Sequence, residues 1–190
     1  MVTCSFLGHG RLYDEGLYPS ILEAVNQVVN RDTEIEFVFD RQTHFQFLCL
    51  CAVLETRQHN PGKLLKITFM SRNDINEQEW EYPGINGFPF CIFDKIIKLP
   101  ELTCPINKAH IKWRRERRKL VDYSDFLACY EYPDLWDDGF EMYKHALRCS
   151  TLTIFNVAND KTAQAIKEDI ARLETKQQYI IQAVKSGKSL

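Results

Sequence analysis

The sequence has no long hydrophobic run and no excess of one charge sign. No segment of the 190-residue chain approaches the roughly 20 consecutive apolar residues that a membrane helix needs. The N-terminus has neither a basic lead nor a long apolar stretch, so we expect a cytoplasmic protein with no membrane partner. The formal net charge of −2 gives no overall attraction to nucleic acid or acidic lipid.

The cysteines and histidines show no pattern that indicates disulfides, a metal or a catalytic group. The seven cysteines are scattered through mostly apolar segments, so we predict reduced thiols packed as small core residues. Cys49 and Cys51 do not share a helix face, and no second pair follows at zinc spacing. The five histidines are dispersed. We therefore predict no metal site, no cofactor and no catalytic residue, and the sequence leaves open whether the protein is an enzyme.

What the chain does have is a regular alternation of apolar and amphipathic segments. Its short apolar segments predict strands over 2–7, 34–39, 64–70, 95–99, 126–130 and 151–157. Its longer segments predict helices over 17–30, 45–56, 107–121, 138–149 and 160–185. Residues 71–94 become rich in aromatics, glycine and proline, which predicts an irregular excursion with a short helix at 74–80.

The order of these segments predicts the fold class. Strands separated by helices pair in parallel through right-handed crossovers, and helices then cover both faces of the sheet. Burial on both faces accounts for strands that are continuously apolar. We therefore predict an α/β fold with a Rossmann-like, doubly wound, mainly parallel sheet. One domain over 1–158 is followed by a C-terminal helix over 159–190, packed on the domain or on a partner subunit.

The first candidate binding element is Gly8-His9-Gly10-Arg11, where the first strand stops. Glycines let backbone amides approach an anion, and an adjacent Arg or His adds charge and hydrogen-bond donors. The alternative is a tight strand-to-helix turn in which glycine only relieves strain. In open parallel sheets ligands sit beyond the carboxyl ends of the strands, so this turn and the loop over 131–139 are expected to share one crevice.

The second candidate element surrounds the strand over 126–130. Ser124 and Asp125 precede that strand, whereas Asp138 and Gly139 fall where the next helix begins, with Glu141 in its first turn. A helix N-terminus attracts anions. Asp138 and its acidic neighbour oppose a phosphate, however, and Asp138 could simply cap the helix.

The third candidate element is the basic stretch Lys112-Trp-Arg-Arg-Glu-Arg-Arg-Lys119. Such a cluster of cations with an aromatic residue could hold a nucleic-acid backbone. The alternative is a solvated helix face with some arginines, Arg117 and Arg118 among them, directed toward the crevice. Acidic residues elsewhere and the lack of a second basic cluster favour this alternative, so no nucleic-acid partner is predicted.

The order of these motifs resembles the SLOG superfamily, specifically its small bacterial members of uncharacterised function. Thr3-Cys-Ser-Phe-Leu-Gly-His9 is similar to the strand and turn that open those chains. Tyr82-Pro-Gly84 resembles a piece of their central excursion, and the segment from Arg114 to Asp125 resembles their helix-to-strand element. Asp138-Gly139 lies where their Gly-Gly pair opens the next helix. The resemblance runs from about residue 2 to 157.

The resemblance implies a Rossmann-like sheet with a nucleotide or nucleotide-derived ligand at the strand ends. Site residues carried over by it are Gly8, His9, Ser124, Asp125 and Gly139, with Arg117 or Arg118. The chain also departs from the family: Gly10 intervenes before Arg11, and the loop over 39–45 lacks glycine. The paired glycines, Thr and Glu of the related Lonely Guy hydrolases are absent as a unit, which argues against that activity.

Three functions are compatible with the sequence. The first is a divergent SLOG-type domain that binds or senses a nucleotide-like small molecule without catalysis. The second is a hydrolase of nucleotide N-glycosidic bonds in which Glu141 or Asp125 supplies the acidic group. The third is a scaffold that forms a homo-oligomer through the apolar stripe of its terminal helix.

Overall fold

The computed structural model describes most of the chain, in six stretches and six further residues. They are residues 1–8, 12, 16–40, 43–71, 92–98, 109–132 and 138–158, with helical residues at 165, 168, 171, 172 and 175. The predicted short helix at 74–80 lies outside this part, as does most of the predicted terminal helix. The division into a domain and a C-terminal helix therefore stays a prediction.

Strands and helices alternate as the sequence predicts. The strands are β1 (Val2–Gly8), β2 (Glu34–Phe39), β3 (Leu64–Ser71), β4 (Lys95–Lys98), β5 (Phe126–Tyr130) and β6 (Thr153–Asn156). The helices are α1 (Tyr18–Val29), α2 (His44–His59), α3 (Ala109–Asp122) and α4 (Asp138–Ala146). None of these helices is long and apolar enough to cross a membrane.

The described strands form one six-stranded, all-parallel sheet in the order β4-β3-β2-β1-β5-β6. This confirms the predicted α/β, Rossmann-like architecture. The chain builds outward from β1 through β2 and β3 to β4, then returns to place β5 on the other side of β1. The topological switch point, at which such sheets open a crevice for ligands, therefore lies between the carboxyl ends of β1 and β5.

Each face of the sheet has its own hydrophobic cluster. On one face, α1 and α2 pack on a large cluster that includes Phe6, Phe37 and Phe39. On the other face, α3 and α4 contribute to a smaller cluster around Leu7 and Leu127. Adjacent residues of β1 thus point to opposite faces, and both are buried. Burial on both faces is the reason that the strands read as continuously apolar.

The cysteines of the described residues are free thiols, as predicted. Cys4, Cys49 and Cys129 are fully buried, whereas Cys51 and Cys149 keep part of their surface. Burial raises the pKa of Cys4 to about 12 and the pKa of Cys49 and Cys129 well above the ordinary thiol value.

We expect iodoacetamide to leave the three buried thiols unlabelled in the native protein, because the reactive thiolate is both inaccessible and suppressed. Cys51 and Cys149 should be labelled, and denaturant should expose every thiol. Peptide mass spectrometry identifies each labelled residue. Labelling of Cys49 as fast as Cys51 before denaturation would contradict the packing of α2 described here.

Candidate functional site

The carboxyl ends of β1 and β5 lie side by side. Gly8, the last residue of β1, is directly paired with Tyr130, the last residue of β5. The carboxyl ends of the two strands are therefore neighbours at the switch point. The sequence predicts that the first turn and the loop over 131–139 share a crevice there, and this stays a prediction because residues 9–11 and 133–137 lie outside the described residues.

Gly8 is required by close packing. A Cβ atom at this position would lie 2.6 Å from Cδ1 and 3.0 Å from Cγ of Phe45, far inside the contact distance of carbon atoms. The Phe45 ring cannot easily move aside, because it is fully buried and stacked on Tyr130 with centroids 5.7 Å apart. Glycine at the end of β1 thus allows α2 to bring an aromatic ring against the strand terminus.

Asp40, which directly follows β2, is held by side chains from two helices. The Gln46 amide Nε2 donates to Asp40 Oδ1 at 2.7 Å, and Asp40 N donates to Gln46 Oε1 at 3.2 Å. From α3, Arg117 Nε donates to Asp40 Oδ2 at 3.0 Å. Gln46 Nε2 also donates to the Phe6 carbonyl at 3.0 Å, so the network joins the ends of β1 and β2.

The local sequence explains why Gln46 points at this edge. Thr43 is the N-cap of α2, in extended conformation, and its hydroxyl accepts from Gln46 N at 3.3 Å. Thr43 and Gln46 have the spacing of a capping box, in which the third helical residue folds back toward the chain before the helix. Here the Gln46 side chain folds back to the Asp40 backbone and carboxylate.

The Arg117–Asp40 ion pair is almost removed from water, with 4% and 9% of the two side chains exposed. Because α2 and α3 lie on opposite faces of the sheet, the pair and Gln46 connect the two helical layers at the carboxyl edge. Desolvating two charges is costly and is offset only when geometry and added hydrogen bonds are good, as they are for this carboxylate.

A second buried carboxylate lies on the other side of the switch point. Glu131, directly after β5, is fully buried. Its backbone is paired with the Asn156 side chain: Glu131 N donates to Oδ1 at 3.2 Å, and Nδ2 donates to the Glu131 carbonyl at 2.8 Å. Asn156 thus extends the β5–β6 pairing by one residue. Tyr130 and Tyr132 contact each other edge to face, 5.5 Å between centroids, and line the same end.

The predicted site residues of α4 lie in its first turn, which follows the carboxyl end of β5 in the chain. Asp138 is the first residue of α4, and Gly139 is buried in its first turn. Glu141 accepts from Lys144 Nζ at 2.9 Å. This hydrogen bond lowers the pKa of Glu141, with smaller contributions from the charges of Lys144 itself and of Arg114 and Arg118 on α3.

The three remaining residues of the first turn, His9, Gly10 and Arg11, lie outside the described residues. Within the basic stretch, adjacent arginines differ in environment. Arg117 is buried against Asp40, and Arg118 is exposed, with its charge near Glu141. Arg117 is therefore directed to Asp40 at the carboxyl edge, and its contact with a ligand stays a prediction.

The expectation that Ser124 and Asp125 share an edge with Gly8 needs correction. Both residues precede β5, so they lie at the amino edge, whereas Gly8 ends β1 at the carboxyl edge. A five-residue strand, rising about 3.3 Å per residue, separates the two edges.

Both side chains have structural partners there. Asp125 Oδ2 accepts from Thr3 N at 2.8 Å, and Ser124 Oγ lies 2.8 Å from Ser5 Oγ and 2.7 Å from the Leu120 carbonyl oxygen. These contacts align the starts of β1 and β5. The structure does not bring Ser124 and Asp125 together with Gly8.

Three residues of this edge, Asp40, Gln46 and Glu131, were missed by the sequence analysis. Asp40 and Glu131 carry a readable signal, because each is a carboxylate directly after an apolar strand. Gln46 carries the weaker signal of its spacing from Thr43. No protein-family model matches this chain, and no curated protein matches it either.

Proposed function

We propose that this protein binds a nucleotide or nucleotide-derived ligand at the switch point between β1 and β5, as a non-enzymatic binder or sensor of divergent SLOG type. The observation that carries the proposal is the register that puts Gly8 beside Tyr130 at the carboxyl edge of an open parallel sheet. Folds of this kind bind ligands in the crevice that the diverging loops leave there.

The residue types that follow β1 suit a ligand that carries an anion. Arg11 and His9, which follow β1 in the sequence, would supply positive charge and directional donors for a phosphate. The side chains of Asp40 and Glu131 are largely buried at this edge, and Asp40 is bound by Gln46 and Arg117, so these carboxylates hold the strand ends in place and leave the ligand to the groups around them. The packed rings of Tyr130 and Tyr132 give the end of β5 an apolar surround.

Hydrolysis of a glycosidic bond has less support. A general acid needs a raised pKa to hold its proton near neutral pH, whereas the hydrogen bond from Lys144 lowers the pKa of Glu141. Asp125, the other candidate acid, is bonded to the backbone of β1 at the amino edge. Neither carboxylate has the environment that this reaction requires.

Calorimetry with AMP, ATP, NAD and ADP-ribose tests the proposal. We expect at least one to bind, and we expect Arg11→Gln to weaken binding about 10- to 100-fold, because a charged hydrogen bond is worth about 1.5–3 kcal/mol. Arg148→Gln is the matched control, since Arg148 is exposed in the turn between α4 and β6 at the amino edge. Failure of every compound at millimolar concentration, or equal effects of the two substitutions, would refute the proposal.

A further inference from the structure

Three side chains with metal-ligating atoms meet on the surface where α3 and α4 end. Asp122 is the last residue of α3, His145 is the penultimate residue of α4, and Cys149 lies in the turn after α4. One ligand atom from each lies within 4.8 Å of the others. None of these residues takes part in the carboxyl-edge site, because both helices end at the amino edge of the sheet.

We propose that Asp122, His145 and Cys149 form a zinc site with three protein ligands and an open fourth position. A carboxylate oxygen, an imidazole nitrogen and a thiolate sulfur all occur as zinc ligands, and three of them with one water complete a tetrahedron. The sulfur selects against the hard ions Mg²⁺ and Ca²⁺, which take oxygen ligands. On binding, the Cys149 thiol releases its proton to solvent and its sulfur bonds to the ion.

Of the two distances to Asp122, the one from Cys149 already fits a metal-bound arrangement, and the one from His145 is shorter. Cys149 Sγ lies 3.7 Å from Asp122 Oδ1, and zinc bonds of normal length at a tetrahedral angle place sulfur and oxygen about 3.6 Å apart. His145 Nε2 and Asp122 Oδ1 are in hydrogen-bond contact at 2.6 Å, whereas a shared zinc ion would hold them about 3.4 Å apart. The ion therefore requires this contact to open by about 0.8 Å, while all three ligand atoms already lie within 4.8 Å of one another.

The local backbone keeps the ligands on one side. His145 and Cys149 are four residues apart, one helical turn, and Cys149 N donates to the Ala146 carbonyl at 3.0 Å, which continues the turn past the end of α4. Asp122 and His145 have 53% and 28% of their side chains exposed. Exposure leaves a path for the ion and space for its fourth ligand, so the site would link the ends of α3 and α4 without rebuilding the core.

Cobalt substitution in the metal-free, untagged protein provides the test. We expect one Co²⁺ per chain with a sulfur-to-cobalt charge-transfer band, and we expect Cys149→Ser and His145→Gln each to weaken binding by more than about tenfold. Cys51→Ser, a half-buried thiol of α2, is the matched control and should keep the band. An absent band, or a band that survives Cys149→Ser, would overturn the assignment.

Two further measurements on the unmodified sequence complete the test. Zn²⁺ at a hundred times its dissociation constant should raise the thermal midpoint by about 5–10 °C over the protein in EDTA. Zn²⁺ should also protect Cys149, and not Cys51, from alkylation. Equal labelling of the two cysteines with and without Zn²⁺ would exclude zinc from this site, whatever the variants show.

Discussion

Replacing Arg117 with Met is expected to lower the free energy of unfolding by about 3–5 kcal/mol, the usual cost of leaving one partner of a buried ion pair uncompensated. The substitution keeps the length of the aliphatic stem, so the loss comes mainly from the Asp40 carboxylate. This carboxylate is 9% exposed in the protein with Arg117. In the variant it would keep the Gln46 amide but lose its countercharge. Denaturant unfolding monitored by circular dichroism measures the change.

The adjacent arginine provides a matched control. Arg118 is exposed, so Arg118→Met removes the same charge from the same helix and should change stability by no more than about 0.5 kcal/mol. A double-mutant cycle with Asp40→Asn should show a coupling of about 1–3 kcal/mol, because the second substitution removes the charge that the first leaves unpaired. Similar effects of the two arginine substitutions would contradict the buried pair.

The fold follows from sequence because its signals are local. Apolar runs of strand length, such as Phe126–Tyr130, alternate with helices, and this order alone selects a parallel sheet with helices on both faces. Helix α2 is marked by its N-cap Thr43 and by the Pro61-Gly62 pair after its end. Signals of this kind depend on residues a few positions apart, which a single sequence records directly.

The long-range contacts at the carboxyl edge could not be predicted from the sequence. Asp40 and Arg117 are separated by 77 positions. They meet only because Asp40 follows a strand of the sheet, β2, and α3 packs on that sheet. Arg117 and Arg118 are both arginines on α3, but each helical residue is rotated by about 100° from the one before it, so one side chain turns inward and the other turns to solvent. Neither fact is encoded in a local pattern.

The placement of Ser124 and Asp125 shows a different limit. A motif resemblance grouped them with Gly8, which lies at the carboxyl edge. Their position directly before β5 already implies the amino edge of a parallel sheet. Asp40 and Glu131 directly follow their strands, and this position indicates the carboxyl edge. In a parallel sheet, whether a polar residue precedes or follows its strand decides which edge it occupies.

Gly8→Ala is expected to lower the free energy of unfolding by about 1–3 kcal/mol, the cost of overpacking a filled interior. The added methyl would lie 2.6 Å from Cδ1 of Phe45, and the ring is stacked on Tyr130 and has no free space to enter. Because the same displacement would reach the end of β5, the ligand binding that we propose for the switch point should weaken as well. Gly62→Ala is the control, since a Cβ there meets no atom within 4 Å.

The steric origin of this effect can be tested by rescue. Phe45→Leu alone should also destabilise the protein, because it leaves space beside Gly8 and Tyr130. Combined with Gly8→Ala, the smaller side chain makes room for the added methyl, so the double variant should lose less stability than the sum of the two single variants. Strict additivity in chemical unfolding would contradict a clash between the added methyl and the Phe45 ring. Less-than-additive loss would establish that the Phe45 ring is what opposes a Cβ atom at the end of β1.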